Sequence, residues 1–122
     1  MSAIHSYRDL TVWQKSKQVC KLVYRATEKM PKAEMFGLTS QMRRASVSIP
    51  SNIAEGYNRK TTAEYIRGLR IASGSQAELS TQLEIASELG LINPEPDLQA
   101  MLQEIDRMLF ALIRKLEARQ TK

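Results

Sequence analysis

The chain has 122 residues, of which 43% are hydrophobic and 25% are charged, and its formal net charge at pH 7 is +5. This size and balance fit one folded domain and exclude an intrinsically disordered chain. A single cysteine, Cys20, excludes an intramolecular disulfide framework, and no apolar run reaches the roughly 18 residues of a membrane span. We therefore expect one cytoplasmic domain over residues 1–122, with no membrane partner.

Apolar residues recur at steps of three and four along most of the chain, the spacing that places them on one face of a helix. A sheet would need more valine, threonine and aromatic residues than this chain has. The connections between the helices are short, so we predict an all-α protein that folds as an antiparallel up-down-up-down four-helix bundle. In chain order the predicted helices span residues 9–29, 34–56, 61–89 and 95–119.

Polar and glycine residues mark the expected helix ends. Asp9 is placed to cap the start of the first helix, and Gly56 is a natural end for the second. Thr61 and Glu64 form a capping box at the start of the third helix, which Gly90 ends.

The second and third helices contain residues that weaken an isolated helix. Pro50 lies in the middle of the second and should kink it, while Gly68 and Gly74 each cost about 1 kcal/mol relative to alanine. Close packing against another helix, within the bundle or between subunits, is the expected compensation. The helices also have more apolar surface than one bundle core needs, which indicates self-association.

Positive charge is concentrated in the first half of the chain. Residues 1–60 hold eleven Lys or Arg and four acids, a net of +7, whereas residues 61–122 hold seven and nine, a net of −2. A basic half indicates either a polyanionic ligand or association between copies.

The strongest candidate site is a ridge of four cations at a strict four-residue step on the first helix. On a helix these cations lie about 6 Å apart over about 18 Å, a spacing that resembles the phosphate separation of a nucleic-acid strand. A solvated face, or a face paired with the acids of a neighbouring subunit, is the alternative. Two further basic pairs follow, and one arginine of the first pair is expected to bind Glu55 or Glu78. The candidate nucleic-acid-binding residues are Lys17, Lys21, Arg25, Lys29, Arg43, Arg44, Arg59 and Lys60.

Tyr57 lies beside the second basic pair, where it would either stack on a base or pack in the bundle; packing is favoured. Groups for catalysis are missing from the sequence: His5 has no metal-ligand spacing, and Cys20 has no histidine partner on its helix. We predict no enzymatic activity, no metal site and no cofactor.

Five blocks of sequence resemble one bacterial family in order and spacing. They are Asp9-Leu-Thr-Val-Trp13-Gln, Met30-Pro-Lys-Ala-Glu34, Leu38-Thr-Ser-Gln41-Met-Arg43-Arg44-Ala45, Ser48-Ile49-Pro50-Ser51-Asn52-Ile53-Ala54-Glu55-Gly56, and Ala72-Ser-Gly74-Ser75 with Glu78-Leu79. The chain is similar to the four-helix-bundle proteins encoded in the intervening sequences of large-subunit ribosomal RNA genes. The accessory variability proteins of diversity-generating retroelements are relatives of that family.

This resemblance implies a four-helix protomer that assembles into a cyclic homo-oligomer, typically a pentamer. In the retroelement relatives the basic assembly binds nucleic acid and a partner reverse transcriptase, and the family supplies no catalytic residues. We therefore predict a non-catalytic, oligomeric accessory protein that binds RNA or DNA with little sequence preference, and the resemblance adds a reverse transcriptase as a partner. The alternative is a structural or adaptor oligomer that binds other proteins and no nucleic acid.

Overall fold

The computed structural model describes residues 3–120, and this part of the chain contains helices and no strand. The all-α prediction is confirmed. None of the described helices is long and apolar enough to cross a membrane. Four residues of the predicted domain, at positions 1, 2, 121 and 122, lie outside the described part. The α-helices are Thr11–Thr27 (α1), Leu38–Asn58 (α2), Thr62–Glu88 (α3) and Pro96–Gln120 (α4), and short 3₁₀ helices span Tyr7–Asp9 and Lys32–Glu34.

The four helices pack as a bundle around an aliphatic core. The contact between α2 and α3 is the most extensive; α1 packs on α2, α4 packs on α3, and α1 also contacts α4. Each helix buries the face on which its apolar residues recur, and Val19, Ile49, Leu69 and Leu102 are fully buried. Burying one such side chain contributes about 1.5–3 kcal/mol, so packing rather than helix propensity holds these helices.

The first helix begins differently from the prediction. Asp9 does not cap α1: its Oδ2 accepts hydrogen bonds from the backbone N–H groups of His5 at 2.9 Å and Ser6 at 3.2 Å. Together with Ser6 it forms a capping box around the first 3₁₀ helix, and α1 begins after Leu10 without a side-chain cap. The same two donors, His5 first, lower the pKa of the Asp9 carboxyl group.

The ends of α3 lie where the sequence places them, but only one half of the predicted capping box is present. The hydroxyl of Thr61 accepts a hydrogen bond from the Glu64 backbone N–H at 3.2 Å. The reciprocal half is wrong for the described residues, because the Glu64 carboxylate lies 3.9 Å from the Arg67 guanidinium instead of capping Thr61. Gly90 follows the helix in the left-handed region, with φ of 74°. The next residue, Leu91, donates its N–H to the Ala86 carbonyl at 2.9 Å, the hydrogen bond that closes many glycine-ended helices.

Two glycines bring the backbones of α2 and α3 into contact. A Cβ atom on Gly68 would lie 2.5 Å from the Asn52 carbonyl oxygen and 2.8 Å from the Gly56 Cα atom, so the predicted close approach is confirmed there. The prediction that Gly56 ends α2 is wrong, because this residue lies at the crossing and the helix continues to Asn58. Gly74 makes no close approach within the described part of the chain, where nothing lies within 4 Å of its Cβ position.

A tertiary hydrogen bond compensates for the proline inside α2. Because Pro50 has no N–H, the carbonyl group of Ser46, four residues earlier, loses its helical donor. The Cys20 thiol on α1 donates to this carbonyl oxygen at 2.9 Å. Burial raises the pKa of the Cys20 thiol, so the group keeps the proton that it donates. The helix therefore keeps its proline through a contact with α1, in agreement with the expectation of compensation by packing.

Candidate nucleic-acid interface

The predicted cation ridge lies on the outer face of α1. The opposite face of α1 packs in the core through Val12, Val19 and Val23, which are buried, so the ridge points toward solvent. No ridge cation takes part in an ion pair within 4 Å in the described part of the chain, where the paired cations are Lys15, Arg59, Arg67 and Arg70. The ridge residues Lys17, Lys21, Arg25 and Lys29 are all exposed.

The two ends of the ridge have different surroundings. At its first residue, the ammonium group of Lys17 lies 4.4 Å from the centre of the Trp13 ring, a cation–π contact that orients this side chain. At the other end, Arg25 and Lys29 face the loop between α3 and α4 across a groove of about 330 Å³. Glu95 also lines this groove, so the open part of the ridge is its middle, around Lys21.

The structure gives the two adjacent arginines of α2 different roles. The Arg43 guanidinium donates to the Thr27 hydroxyl at 2.8 Å and to the Tyr24 carbonyl at 3.4 Å, and it lies 4.6 Å from the Tyr24 ring centre. It thereby holds the last turn of α1 against α2. The expected ion pair of one arginine with Glu55 or Glu78 is wrong: neither forms one within 4 Å in residues 3–120, because Arg43 binds α1 instead.

Arg44 is exposed on the other side of α2, in a groove of about 370 Å³ between α2 and α3. Glu78 and Gln82 line the same groove from α3. Gln82 is only 7% exposed, and its Oε1 atom has no hydrogen-bond partner within residues 3–120. Nothing in the sequence distinguishes Gln82 from an exposed glutamine, so this acceptor could not be predicted.

The second basic pair lies apart from the first. Arg59 and Lys60 follow α2 sixteen residues after Arg43, a separation of about 24 Å along a helix. Arg59 lies 3.5 Å from Glu55 in an exposed ion pair of the kind that contributes little to stability. Lys60 has φ of 68°, a left-handed conformation that usually selects glycine, and its ammonium group lies 5.5 Å from the Tyr57 ring centre. The eight predicted residues therefore do not form one patch.

Tyr57 packs within the bundle. Its ring meets the Tyr65 ring edge to face, with centres 5.4 Å apart. Burial, together with the neighbouring Tyr57, raises the pKa of Tyr65 to about 12. The favoured interpretation of Tyr57 as a packing residue agrees with this geometry.

No group of three or more His, Cys, Asp or Glu side chains in residues 3–120 is placed to hold a metal ion. Comparison with curated proteins gives no match. Residues 8–111 match the family model described as 23S rRNA-intervening sequence protein, a range that includes the ridge, both basic pairs and most of α4. By this match over most of its length, the chain belongs to the 23S rRNA-intervening sequence protein family.

Proposed function

We propose that this protein binds RNA or DNA by its phosphate groups, without catalysis, along the exposed ridge of α1. The observation that carries the proposal is the ridge itself: four exposed cations at a four-residue step, none of which has an acidic partner within 4 Å among the described residues. Like charges at this spacing destabilise a helix by about 0.2–0.5 kcal/mol per pair. A nucleic-acid strand laid along the ridge would remove that repulsion and release its own counterions.

The remaining cations extend this surface unequally. Arg44 and Lys60 are exposed and available for further phosphates, Arg59 is exposed but paired with Glu55, and the Arg43 guanidinium is occupied by α1. Contacts of this kind position a strand without reading its bases, so we expect little sequence preference.

We further propose that the protein acts as a cyclic homo-oligomer. Exposed apolar side chains, among them Met35, Phe36 and Leu89, and the open position at Gly74 support self-association. A pentamer, the assembly that the resemblance implies, would have five times the chain's +5, or +25, and its repeated ridges would strengthen binding through multivalency. The resemblance extends the proposal to a reverse transcriptase as partner, which co-purification of the two proteins would test.

Fluorescence anisotropy of labelled single-stranded RNA, titrated with nuclease-treated protein at two salt concentrations, tests the ridge. Four phosphate contacts on a single strand predict a salt slope of about −3, or a roughly 50-fold loss of affinity between about 50 and 200 mM salt. The double variant Lys21→Glu with Arg25→Glu should lose most of the binding.

The matched control reverses the same number of charges on α4, as Arg107→Glu with Arg114→Glu; both residues are exposed. If net charge alone attracts the RNA, the two double variants will lose affinity equally, and the ridge is not the site. Absence of binding by the unmodified protein at low salt would overturn the whole nucleic-acid proposal and leave the adaptor alternative.

A further inference from the structure

Phe36 is the most exposed large apolar side chain in the described part of the chain. It lies between α1 and α2, is 94% exposed, and follows Met35, which is 52% exposed. Lys32 lies one turn earlier and has no ion pair within 4 Å among the described residues. We name Lys32, Met35 and Phe36 the knob, a protruding apolar pair beside a cation.

Hydrogen bonds hold the knob in one conformation. The backbone N–H of Met35 donates to the Lys32 carbonyl at 3.1 Å, and that of Gly37 donates to the Glu34 carbonyl at 3.0 Å. The Glu34 carboxylate also accepts from the Leu38 N–H, at 3.3 Å, at the start of α2. An apolar side chain presented on such a fixed backbone loses little conformational freedom when a partner covers it.

A concave groove that combines apolar walls with negative charge lies between the end of α3 and the start of α4. Its volume is about 400 Å³, and Leu83, Ile92, Pro94 and Pro96 form its apolar walls. Three carboxylates, those of Glu84, Glu88 and Glu95, line the same groove, and none has an ion pair within 4 Å in residues 3–120. Size, apolar lining and charge all complement the knob.

The knob and this acid-rimmed groove lie at the same end of the bundle. The last ridge residues, Arg25 and Lys29, line one cavity together with Ile92 and Glu95, and the knob begins three residues after Lys29. In a ring whose symmetry axis runs parallel to the helices, this end of every copy lies at the same level along the axis. In such an arrangement the knob of one copy can meet the groove of the next.

We infer that the knob of one copy inserts into the acid-rimmed groove of a second copy, with Phe36 against the apolar walls and Lys32 beside the carboxylates. Two different surfaces meet, so the contact is head-to-tail and closes into a ring when the rotation closes. This inference rests on the cyclic oligomer proposed above and names its contact. Lys32 and Phe36 are then assembly residues, distinct from the ridge.

Sedimentation equilibrium of the full chain tests this contact with Phe36→Asp. We expect self-association to weaken at least roughly tenfold, because an apolar anchor is lost and a like charge faces the carboxylates. Phe110→Asp is the matched control, an aromatic on α4 that is 61% exposed and lies outside both surfaces; its mass should equal that of the unmodified protein. Circular dichroism should show both variants folded.

Mixing two deficient variants tests the head-to-tail geometry. Glu84→Lys with Glu88→Lys disables the groove and leaves the knob intact, whereas Phe36→Asp does the reverse. Each should be monomeric alone, and a mixture should form a one-to-one dimer through its single intact contact. If the unmodified protein is oligomeric and Phe36→Asp does not weaken its self-association, the inferred contact is wrong. The same holds if the mixture forms no dimers. In both cases the proposal of a cyclic oligomer still stands. If the unmodified protein is monomeric at every concentration measured, both the inferred contact and the cyclic oligomer are wrong, independently of the result of the RNA titration.

Discussion

Gly68 and Gly74 lie six residues apart on α3 in opposite surroundings, and this makes them a matched pair. Gly68→Ala would force its new methyl group against the Asn52 carbonyl, and we expect a loss of about 1–3 kcal/mol in the free energy of unfolding. The methyl group of Gly74→Ala meets no atom of residues 3–120 within 4 Å, and this variant should gain about 1 kcal/mol from helix propensity. Urea unfolding at one protein concentration measures both changes.

An unaltered Gly68→Ala protein would show that α2 and α3 can separate without cost, contrary to their backbone contact. The second variant also reports on assembly. If Gly74→Ala stabilises the monomer but lowers the sedimentation mass, the open position on α3 belongs to a contact between copies.

At the scale of the helices, the Cys20–Ser46 hydrogen bond joins α1 to α2 at the point where Pro50 interrupts α2. Cys20→Ala leaves the Ser46 carbonyl without a donor, and we expect a loss of about 1–3 kcal/mol in the free energy of unfolding. Pro50→Ala should fold and restore a helical N–H for that carbonyl. In the Pro50→Ala background, Cys20→Ala should therefore cost less.

A double-mutant cycle of unfolding free energies measures this coupling. Cys20→Ser is the control for the lost sulfur, because it keeps a donor at the same position. Equal costs of Cys20→Ala in both backgrounds would show that the cysteine acts by packing alone.

The helices themselves could be predicted from the sequence, whereas their contacts could not. Apolar spacing and the Thr61 and Gly90 signals depend on neighbouring residues, and they placed the ends of α3 within one residue. The prediction that Asp9 caps α1 was wrong because an acidic residue can cap a 3₁₀ turn as well as an α-helix. The prediction that Gly56 ends α2 was wrong because glycine is favoured both at the end of a helix and where two helices cross in close contact.

The candidate site shows the same division. The ridge follows from a four-residue step within one helix, so its common face could be predicted and its exposure expected. The role of Arg43 depends on Thr27, sixteen residues away, and no local pattern identifies that pairing. Phe36 lies in a turn without periodicity, so its exposure became visible only in the fold.

Over the whole molecule, the cationic ridge proposed to bind nucleic acid is separate from the knob and the acid-rimmed groove proposed to join copies. The ridge occupies the outer face of α1, while Glu84 and Glu88, which form no ion pair within 4 Å in the described part of the chain, line the groove at the end of α3. The proposed contact between copies neutralises part of the acidic surface and leaves the middle of the ridge, around Lys21, uncovered. Assembly would then raise the positive potential around each ridge, and nucleic-acid affinity should depend on protein concentration more steeply than a monomer allows.

Alkaline pH should destabilise the whole fold through two partly buried groups, the Cys20 thiol and the Tyr65 phenol. Burial raises the pKa of the Cys20 thiol above its ordinary value of 9.0 and that of Tyr65 from 10.0 to about 12. Because the folded protein binds these protons more tightly than the unfolded chain, their contribution is complete below pH 9. It is then lost as pH rises, for Tyr65 between pH 10 and about 12. The midpoint of thermal unfolding should fall across this range.

Tyr65→Phe isolates the phenol from the other groups that titrate at alkaline pH. The variant should lose less stability between pH 10 and 12 than the unmodified protein, and the last-ionising component should vanish from the tyrosinate absorbance. Tyr24→Phe, at an exposed tyrosine, is the control and should retain both features. If the last-ionising component persists in Tyr65→Phe, the phenol of Tyr65 is open to solvent, contrary to its packing against Tyr57.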